Sequence, residues 1–137
     1  MAGKVSTMNE ATKESGPQVL VIDDMAAIVE ELTTLLTLQG IPAAGAGTLT
    51  EAVAILEREP AVRIIACDIW LDGESGLDIV YRILARAALR DRVLHYAFIT
   101  GSPAQAGTLP ADLPHSILAK PVSPQDLVAH FRELLAA

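Results

Sequence analysis

Several residue types are scarce in this sequence, and each scarcity excludes a class of protein. The single cysteine, Cys67, excludes an internal disulfide framework and any metal site built from several thiolates. Aromatic residues make up 4% of the chain, too few for platforms that stack nucleic-acid bases. No apolar run reaches the length of a membrane span, and the N-terminus lacks the apolar segment of a signal peptide. We therefore expect a cytoplasmic protein that does not bind membranes.

Positive charge is also in short supply. The 137 residues contain 10 Lys and Arg against 17 Asp and Glu, a net charge of −7. A chain with this balance lacks the broad basic face that binds nucleic acids or anionic lipids. Hydrophobic residues make up 51% of the chain, which is enough to build a core. The expected ligands are therefore proteins, metal ions or small molecules.

Two residue patterns alternate along most of the chain. Short apolar runs, typical of buried parallel strands, occur at five places: Gln18–Ile22, Ile41–Gly47, Val62–Cys67, Val93–Ile99 and Ser116–Ala119. Between these runs, apolar residues recur at helical spacing. The alternation predicts an α/β domain with a flavodoxin-like, doubly wound, five-stranded parallel sheet of strand order 2-1-3-4-5. Residues 1–17 are polar and without period, so we predict a disordered tail followed by one domain over 18–137.

Cap residues predict where the helices begin. Thr48 followed by Glu51 forms a capping box at the second helix, Ser75 is the predicted start of the third, and Ser123 that of the last. The segment Ser102–Pro114 is poor helix material, because it contains Pro103, Gly107, Pro110 and Pro114. The helix between the fourth and fifth strands is therefore predicted to be short or irregular.

Polar residues follow the predicted strands at the points where the strands end. The first strand is followed by Asp23 and Asp24, the third by Asp68, the fourth by Thr100 and the fifth by Lys120. In the proposed strand order these four strands are neighbours, and their carboxyl ends meet at one edge of the sheet, where α/β proteins bind ligands. The sequence therefore predicts one crevice that holds three carboxylates, a hydroxyl and an ammonium group.

The residue types in this crevice suit phosphoryl chemistry. Three adjacent carboxylates repel one another, and a divalent cation such as Mg²⁺, which prefers oxygen ligands, relieves the repulsion. Lys120 could neutralise a phosphoryl group, and Thr100 could donate a hydrogen bond to it. An aspartate carboxylate can also attack phosphorus and form an aspartyl-phosphate.

Four sequence pieces carry a resemblance to a known family. They are Val-Ile-Asp23-Asp24, Asp68-Ile-Trp-Leu-Asp-Gly-Glu-Ser-Gly76, Ile99-Thr100-Gly101 and Lys120-Pro121, in that order and each closing a predicted strand. From about Gln18 to its end, the chain resembles the response-regulator receiver domain of two-component signalling, in the CheY-like superfamily. The resemblance implies that Asp68 is the phosphoacceptor.

The resemblance also implies roles for the remaining residues of the crevice. Asp24 would bind Mg²⁺ directly, Asp23 would act mainly through metal-bound water, and Asp68 and the backbone carbonyl of Trp70 would be further ligands. Thr100 is similar to the switch hydroxyl that turns toward the phosphoryl group, and Lys120 to the family's lysine. Pro121 is a candidate for a cis peptide bond, which is frequent at this position in the family.

The chain departs from the family pattern at two positions. Asp72 stands where proline is common, and Ile117 stands three residues before Lys120, where many receivers have Tyr or Phe. The usual coupling between a hydroxyl and an aromatic side chain is therefore not expected here. The run Phe98-Ile99-Thr100-Gly101 is similar to that of a subgroup with a Phe-Ala-Thr-Gly motif and a reduced fourth helix, in which output would pass through a loop.

The resulting hypothesis is a signalling switch rather than an enzyme. A histidine kinase or a histidine phosphotransfer protein would phosphorylate Asp68 with Mg²⁺, and output would pass by protein contact to a target that the sequence does not identify. A stand-alone regulator, a relay intermediate and a receiver cut from a larger protein all fit this hypothesis. The three histidines, His95, His115 and His130, show no metal-ligand spacing and are interpreted as structural or solvated.

Two alternatives from other classes stay open. A constitutive protein-binding module would keep the fold without phosphorylation, and Ile117 is the residue that favours it. A small Mg²⁺-dependent phosphatase would use an aspartyl-phosphate, but dehalogenase-type phosphatases need Asp-x-Asp where this chain has adjacent Asp23 and Asp24. A flavodoxin is disfavoured, because no Ser/Thr/Gly-rich phosphate loop follows the first strand.

Overall fold

The helices and strands alternate along the chain in a computed structural model that describes residues 16–102, 109–110 and 112–136. The strands are β1 (Val19–Ile22), β2 (Ala43–Ala46), β3 (Ile64–Asp68), β4 (Trp70–Leu71), β5 (Glu74–Ser75), β6 (His95–Thr100) and β7 (His115–Ala119). The helices within the described residues are α1 (Ala26–Leu38), α2 (Leu49–Arg58), α3 (Asp78–Leu84) and α4 (Pro124–Ala136). None of these helices has the length and apolar character that crossing a membrane would require.

The main sheet is parallel and has the order β2-β1-β3-β6-β7. This confirms the predicted flavodoxin-like topology, in which the five long strands have the order 2-1-3-4-5. The register pairs Ile22 with Cys67, Asp68 with Ile99, and Thr100 with Ala119. The carboxyl ends of β1, β3, β6 and β7 therefore lie along one edge of the sheet, which positions the polar residues that follow them.

The sheet separates two buried clusters, because successive side chains of a strand point to opposite faces. Leu20 and Ile22 of β1 pack in a cluster with residues of α2 and α3, whereas Val19 and Val21 pack in a cluster with residues of α1 and α4. All four side chains are at most 2% exposed. Burial on both faces explains why the strand reads as a continuous apolar run rather than as an alternating one.

The loop after β3 differs from the prediction. The third helix begins at Asp78, not at Ser75, and Ser75 belongs to β5, which pairs with β4 in a two-stranded antiparallel ribbon. The Ser75 hydroxyl accepts a hydrogen bond from the Leu77 backbone N–H, which is a local turn bond of the kind that serines also make at helix starts. The turn between the two short strands is Asp72-Gly73, and Gly73 has a φ of +75°.

Two further predictions fall mainly on residues outside the description. Of the predicted tail over 1–17, only Gly16 and Pro17 are described. Of the segment Ser102–Pro114, predicted to hold a short or irregular helix, residues 103–108 and 111 lie outside the described ranges. Both remain predictions.

Arginine side chains close the carbonyl ends of three helices. Arg92 donates to the carbonyls of Leu56, Glu59, Pro60 and Val62 at the end of α2. Arg132 donates to the Gln39 carbonyl at the end of α1 (2.8 Å), and Arg63 donates to the Leu135 carbonyl in α4 (3.0 Å). A cation at this end of a helix satisfies carbonyls that have no partner within the helix and opposes the negative end of the helix dipole.

Two histidines, His95 at the amino end of β6 and His130 of α4, meet at the edge of the sheet opposite the aspartate cluster. His95 Nε2 and His130 Nε2 lie 2.7 and 2.8 Å from the same hydroxyl oxygen, that of Ser116. A hydroxyl has one proton, so it donates to one imidazole and accepts from the other. His95 and His130 therefore share one hydrogen-bond partner, a contact that is not visible in the sequence. Burial lowers the pKa of His95, and the nearby His130 and His115 lower it further.

We expect this histidine to make the fold weaker in mild acid. A folded-state pKa below the ordinary value of 6.5 means that the unfolded chain takes up a proton that the folded chain resists. The stability that depends on a neutral His95 is therefore fully present above about pH 6.5, and it is lost as the pH falls toward the lowered pKa of His95 in the folded chain. The loss from one proton is at most about 1.4 kcal/mol per pH unit. Urea unfolding between pH 7.5 and 5.5 measures it.

The matched controls for this prediction are two glutamine variants. His95→Gln is expected to flatten the pH dependence, whereas His115→Gln is expected to retain most of it, because the exposed His115 ring bonds the Leu113 carbonyl two residues away (2.7 Å). Equal slopes in the wild-type chain and in His95→Gln would show that His95 does not cause the effect.

Candidate functional site

Three carboxylates meet at the carboxyl ends of β1 and β3. One oxygen each from Asp23, Asp24 and Asp68 can be chosen so that all lie within 4.8 Å of one another. Asp23 is buried, Asp68 is half-buried and Asp24 is exposed. The sequence predicts this group, and the register of β1 with β3 explains it, since the two strands end side by side.

Asp23 is the carboxylate that is most confined by its surroundings. Its side chain is 5% exposed, and its Oδ1 accepts a hydrogen bond of 2.9 Å from the Met25 backbone N–H. Burial raises the pKa of Asp23, and the Asp68 and Asp24 carboxylates raise it further. The Met25 hydrogen bond and the Lys120 ammonium act in the opposite direction. An arrangement that disfavours a full set of negative charges, and offers only oxygen donors, fits a hard divalent cation.

Both oxygens of Asp68 have hydrogen-bond partners. Lys120 Nζ lies 3.1 Å from Oδ2, and the Trp70 backbone N–H donates to Oδ1 at 3.2 Å. The Asp68 side chain is 12% exposed, whereas that of Lys120 is 42% exposed. The peptide bond between Lys120 and Pro121, the candidate named from the sequence, is cis. The carboxylate is therefore oriented by an ammonium group and a backbone amide but stays open to solvent on one side.

Thr100 lies at the end of β6 and is fully buried. Its hydroxyl oxygen accepts a hydrogen bond from the Ser102 backbone N–H (3.1 Å), and its carbonyl accepts one from the Lys120 N–H (2.8 Å). Because the hydroxyl accepts in this bond, its own proton stays available for donation. The structure therefore places Thr100 and Lys120 at adjoining strand ends, as the sequence predicted.

Trp70 and Ile117 have contrasting surroundings. The indole of Trp70 is 57% exposed, although its backbone contacts Asp68. Ile117 is half-buried in β7, where it pairs with Phe98 and packs against the cluster that contains Leu20. Phe98 stacks on Tyr96 of the same strand, with ring centroids 6.0 Å apart. The position where many receivers have an aromatic residue is thus occupied by an aliphatic side chain beside two buried aromatic rings.

Gly76 supports the site through its backbone, a role that the sequence alone does not indicate. Its N–H donates to the Ile69 carbonyl (2.6 Å), and a β-carbon at this position would lie 2.0 Å from the Asp68 carbonyl oxygen. A glycine is therefore needed for the loop to return so close to the Asp68 backbone. Gly76 is the last residue of the Asp68–Gly76 piece that carries the family resemblance. The need for a glycine there comes from its close approach to the Asp68 carbonyl, which only the folded structure shows.

Cys67 directly precedes Asp68 in β3 and is fully buried. Its Sγ lies 3.2 Å from the Asp68 carbonyl oxygen, to which the thiol donates. Burial raises the pKa of the thiol, and the neighbouring Asp68, Asp23 and Glu74 carboxylates raise it further. The thiol is therefore protonated at neutral pH and has the small, buried character that the sequence predicted.

A cavity of about 510 Å³ opens beside the carboxylates. Asp68 and Lys120 form part of its lining, and the rest is mainly apolar. The apolar lining includes Ile28 and Leu32 from α1 together with Val122 and Leu127 from the start of the last helix and the loop before it. The Asp68 carboxylate therefore lies at the edge of a mainly apolar concave surface.

A doubly wound parallel sheet with an aspartate cluster and a lysine at its carboxyl edge defines the CheY-like class of α/β proteins. The family model for the response regulator receiver domain matches residues 19–132. The chain therefore belongs to the response regulator receiver domain family.

Comparisons with individual proteins agree with this family. The chain is 37% identical over 70 residues to the two-component response regulator ORR27 of Oryza sativa subsp. japonica, a match that covers 50% of this chain but 11% of that protein. The chain thus spans about a tenth of that relative's length.

Solved structures extend the likeness to most of the fold. The receiver domain (CheY-like) from Methylobacillus flagellatus has a TM-score of 0.73 at 22% identity, covering 88% of this chain and 99% of that one, which shows the fold alone. The receiver domain of the PhyR response regulator from Erythrobacter litoralis has a TM-score of 0.70 at 26% identity, covering 89% and 92%.

Proposed function

We propose that the chain is a cytoplasmic switch that is phosphorylated on Asp68 by a histidine kinase or a histidine phosphotransfer protein. The observation that carries the proposal is the environment of Asp68, whose two oxygens are held by Lys120 and the Trp70 amide beside two further carboxylates. Family membership supports phosphoacceptor signalling as the general role.

The transfer step follows from these groups. An Asp68 carboxylate oxygen attacks phosphorus, the bond between phosphorus and the partner's histidine nitrogen breaks, and the imidazole leaves with the electron pair. The Lys120 ammonium, 3.1 Å from the carboxylate before transfer, stays close enough to neutralise the phosphoryl oxygens afterwards. The modification is on the chain itself, so the proposal includes no turnover of an external substrate and no enzyme activity in that sense.

Mg²⁺ is the proposed cofactor. Asp23, Asp24, Asp68 and the Trp70 backbone carbonyl would hold it, and the hard oxygen donors of the cluster suit this ion. When bound, Mg²⁺ supplies positive charge that offsets the repulsion between the carboxylates and the incoming phosphoryl group. The residues themselves provide orientation, because Asp23 is fixed by the Met25 amide and Asp68 by the Trp70 amide.

Output is proposed to pass through protein contacts near Thr100. The buried hydroxyl would donate to the phosphoryl group and bias an existing equilibrium between two arrangements of the neighbouring loops. Ile117 cannot provide the aromatic rotation that many receivers use, so the segment that follows β6 would carry the change. The apolar cavity beside Asp68 would receive the phosphodonor, since it places a partner's surface next to the acceptor.

The test uses Trp70, the only tryptophan of the chain. Its indole is exposed and its amide contacts Asp68, so its fluorescence should report events at the acceptor. We expect a saturable change with Mg²⁺ and a second change with beryllofluoride, a mimic of the phosphoryl group. Absence of both responses, with no heat of Mg²⁺ binding in calorimetry, would contradict the proposal.

A constitutive protein-binding module is the second candidate, and Ile117 is the observation that favours it. It would predict partner binding that is equal with and without beryllofluoride. A phosphatase would predict steady hydrolysis of a phosphate ester by the purified chain, which the proposed switch does not perform.

A further inference from the structure

The loop that follows the acceptor is fastened to two helices by a single carboxylate, that of Glu74. Its Oε2 accepts a hydrogen bond from the Leu49 backbone N–H at the start of α2 (3.2 Å). Its Oε1 lies 3.3 Å from Arg82 Nη2 of α3, and Arg82 also donates to the Thr50 hydroxyl (2.9 Å). One side chain therefore joins the loop, α2 and α3.

The fastened residue belongs to the ribbon that leads directly from the acceptor. Glu74 pairs with Leu71, and Ser75 pairs with Trp70, whose N–H donates to Asp68 Oδ1. Leu71 is 8% exposed and helps to seat the ribbon on the core. A displacement of Glu74 would therefore move the strand that sets the backbone of Trp70.

We infer that Glu74 is a positioning residue that holds the Trp70 backbone in place beside Asp68 by tying the ribbon to α2 and α3. The N-terminal amides of a helix favour a negative partner, which makes the start of α2 a suitable anchor. Arg82 keeps the second oxygen engaged, so the carboxylate has little freedom to leave the Leu49 amide. The part of the inference that concerns Mg²⁺ rests on the proposed function, because Trp70 is a ligand only in that proposal.

A purely electrostatic role for Glu74 predicts a different result. The electrostatic role and the positioning role predict opposite changes in Mg²⁺ affinity when Arg82 is removed. If Glu74 acted only by its charge, removing the neighbouring Arg82 cation would make the site more negative and Mg²⁺ binding tighter. If Glu74 acts by position, removing Arg82 frees the carboxylate and weakens Mg²⁺ binding. Glu57 of α2 offers a charge-matched control, because it pairs with Arg86 (2.9 Å), which lies two residues after the end of α3 and outside the ribbon.

The experiment measures Mg²⁺ affinity by calorimetry and by Trp70 fluorescence in the wild-type chain and four variants. We expect Glu74→Ala to weaken Mg²⁺ binding about tenfold, as is typical when a group that orients a metal ligand is lost. Arg82→Ala should weaken it in the same direction and by less. Glu74→Gln, whose amide oxygen can still accept from Leu49, should retain most of the affinity, and Glu57→Ala should match the wild type.

A second readout needs no metal. In the metal-free protein, amide hydrogen exchange at Trp70 and Leu71 should become faster in Glu74→Ala than in Glu57→Ala, because the ribbon loses its anchor. Tighter Mg²⁺ binding in Arg82→Ala, or unchanged exchange and affinity in Glu74→Ala, would overturn the inference. A wild-type chain that binds no Mg²⁺ would instead contradict the proposed function, and the exchange data would still decide whether Glu74 positions the loop.

Discussion

Asp68→Asn is expected to abolish phosphoryl incorporation while the chain stays folded. The amide has nearly the shape of the carboxylate and can accept the hydrogen bond from the Trp70 N–H, but its oxygen is a poor nucleophile. The substitution also removes one of three mutually repelling carboxylates, so the metal-free fold should not be weakened. Transfer from a phosphohistidine donor, or from a small phosphodonor, should fall by at least about 100-fold.

The measurement is the mass increase of the intact chain after incubation with donor and Mg²⁺. The product should lose its phosphoryl group in hydroxylamine, as an acyl phosphate does and a phosphoserine does not. Asp72→Asn is the matched control, because Asp72 is an exposed carboxylate in the turn of the ribbon and outside the cluster. Labelling of Asp68→Asn at the wild-type rate would place the acceptor elsewhere.

Arg92→Ala is expected to cause a large loss of stability for the removal of a charged side chain. The guanidinium donates to four carbonyls in and after α2, and truncation leaves partly buried oxygens without their partners. Burial lowers the pKa of Arg92, so the cation already tolerates an unfavourable environment in order to make these bonds. We expect a loss of about 3 kcal/mol in the free energy of unfolding. For a domain of this size, that corresponds to a fall in Tm on the order of 10 °C.

Thermal and urea unfolding would measure this effect against Arg86→Ala. Arg86 forms an exposed ion pair with Glu57, and its loss should change stability by about 0.5 kcal/mol or less. Arg92→Lys keeps the charge but cannot reach several carbonyls with one planar group, so it should recover only part of the loss. Equal stabilities of Arg92→Ala and Arg86→Ala would mean that the capping contacts contribute little.

The fold and the gathering of the site residues could be predicted because both depend on simple periodic features. Buried parallel strands read as apolar runs, and their ends are marked by polar residues that the core cannot accept. Once the strand order was assigned, Asp23, Asp68 and Lys120 had to lie at one edge, and the structure places them there. The capping box was also predictable, since Thr48 Oγ1 accepts from the Glu51 N–H three residues along (3.1 Å).

The features that the sequence did not predict depend on contacts between distant residues or on very short elements. Strands of two residues have no period, so the ribbon of Trp70–Leu71 with Glu74–Ser75 was mistaken for a loop that leads into a helix. Ser116 lies 21 residues from His95 and 14 from His130, and no spacing rule joins them. The role of Gly76 requires knowing how near the loop returns to the Asp68 carbonyl.

The arginines at the helix ends have a consequence for how the chain acquires its structure during synthesis. The carbonyl end of α1 is closed by Arg132, which follows Gln39 by 93 residues. A nascent chain that has exposed α1, and even the first three strands of the main sheet, still lacks this partner. The carbonyl end of α1 therefore receives these hydrogen bonds only after α4 has left the ribosome, which makes the native state a property of the whole domain rather than of its growing segments.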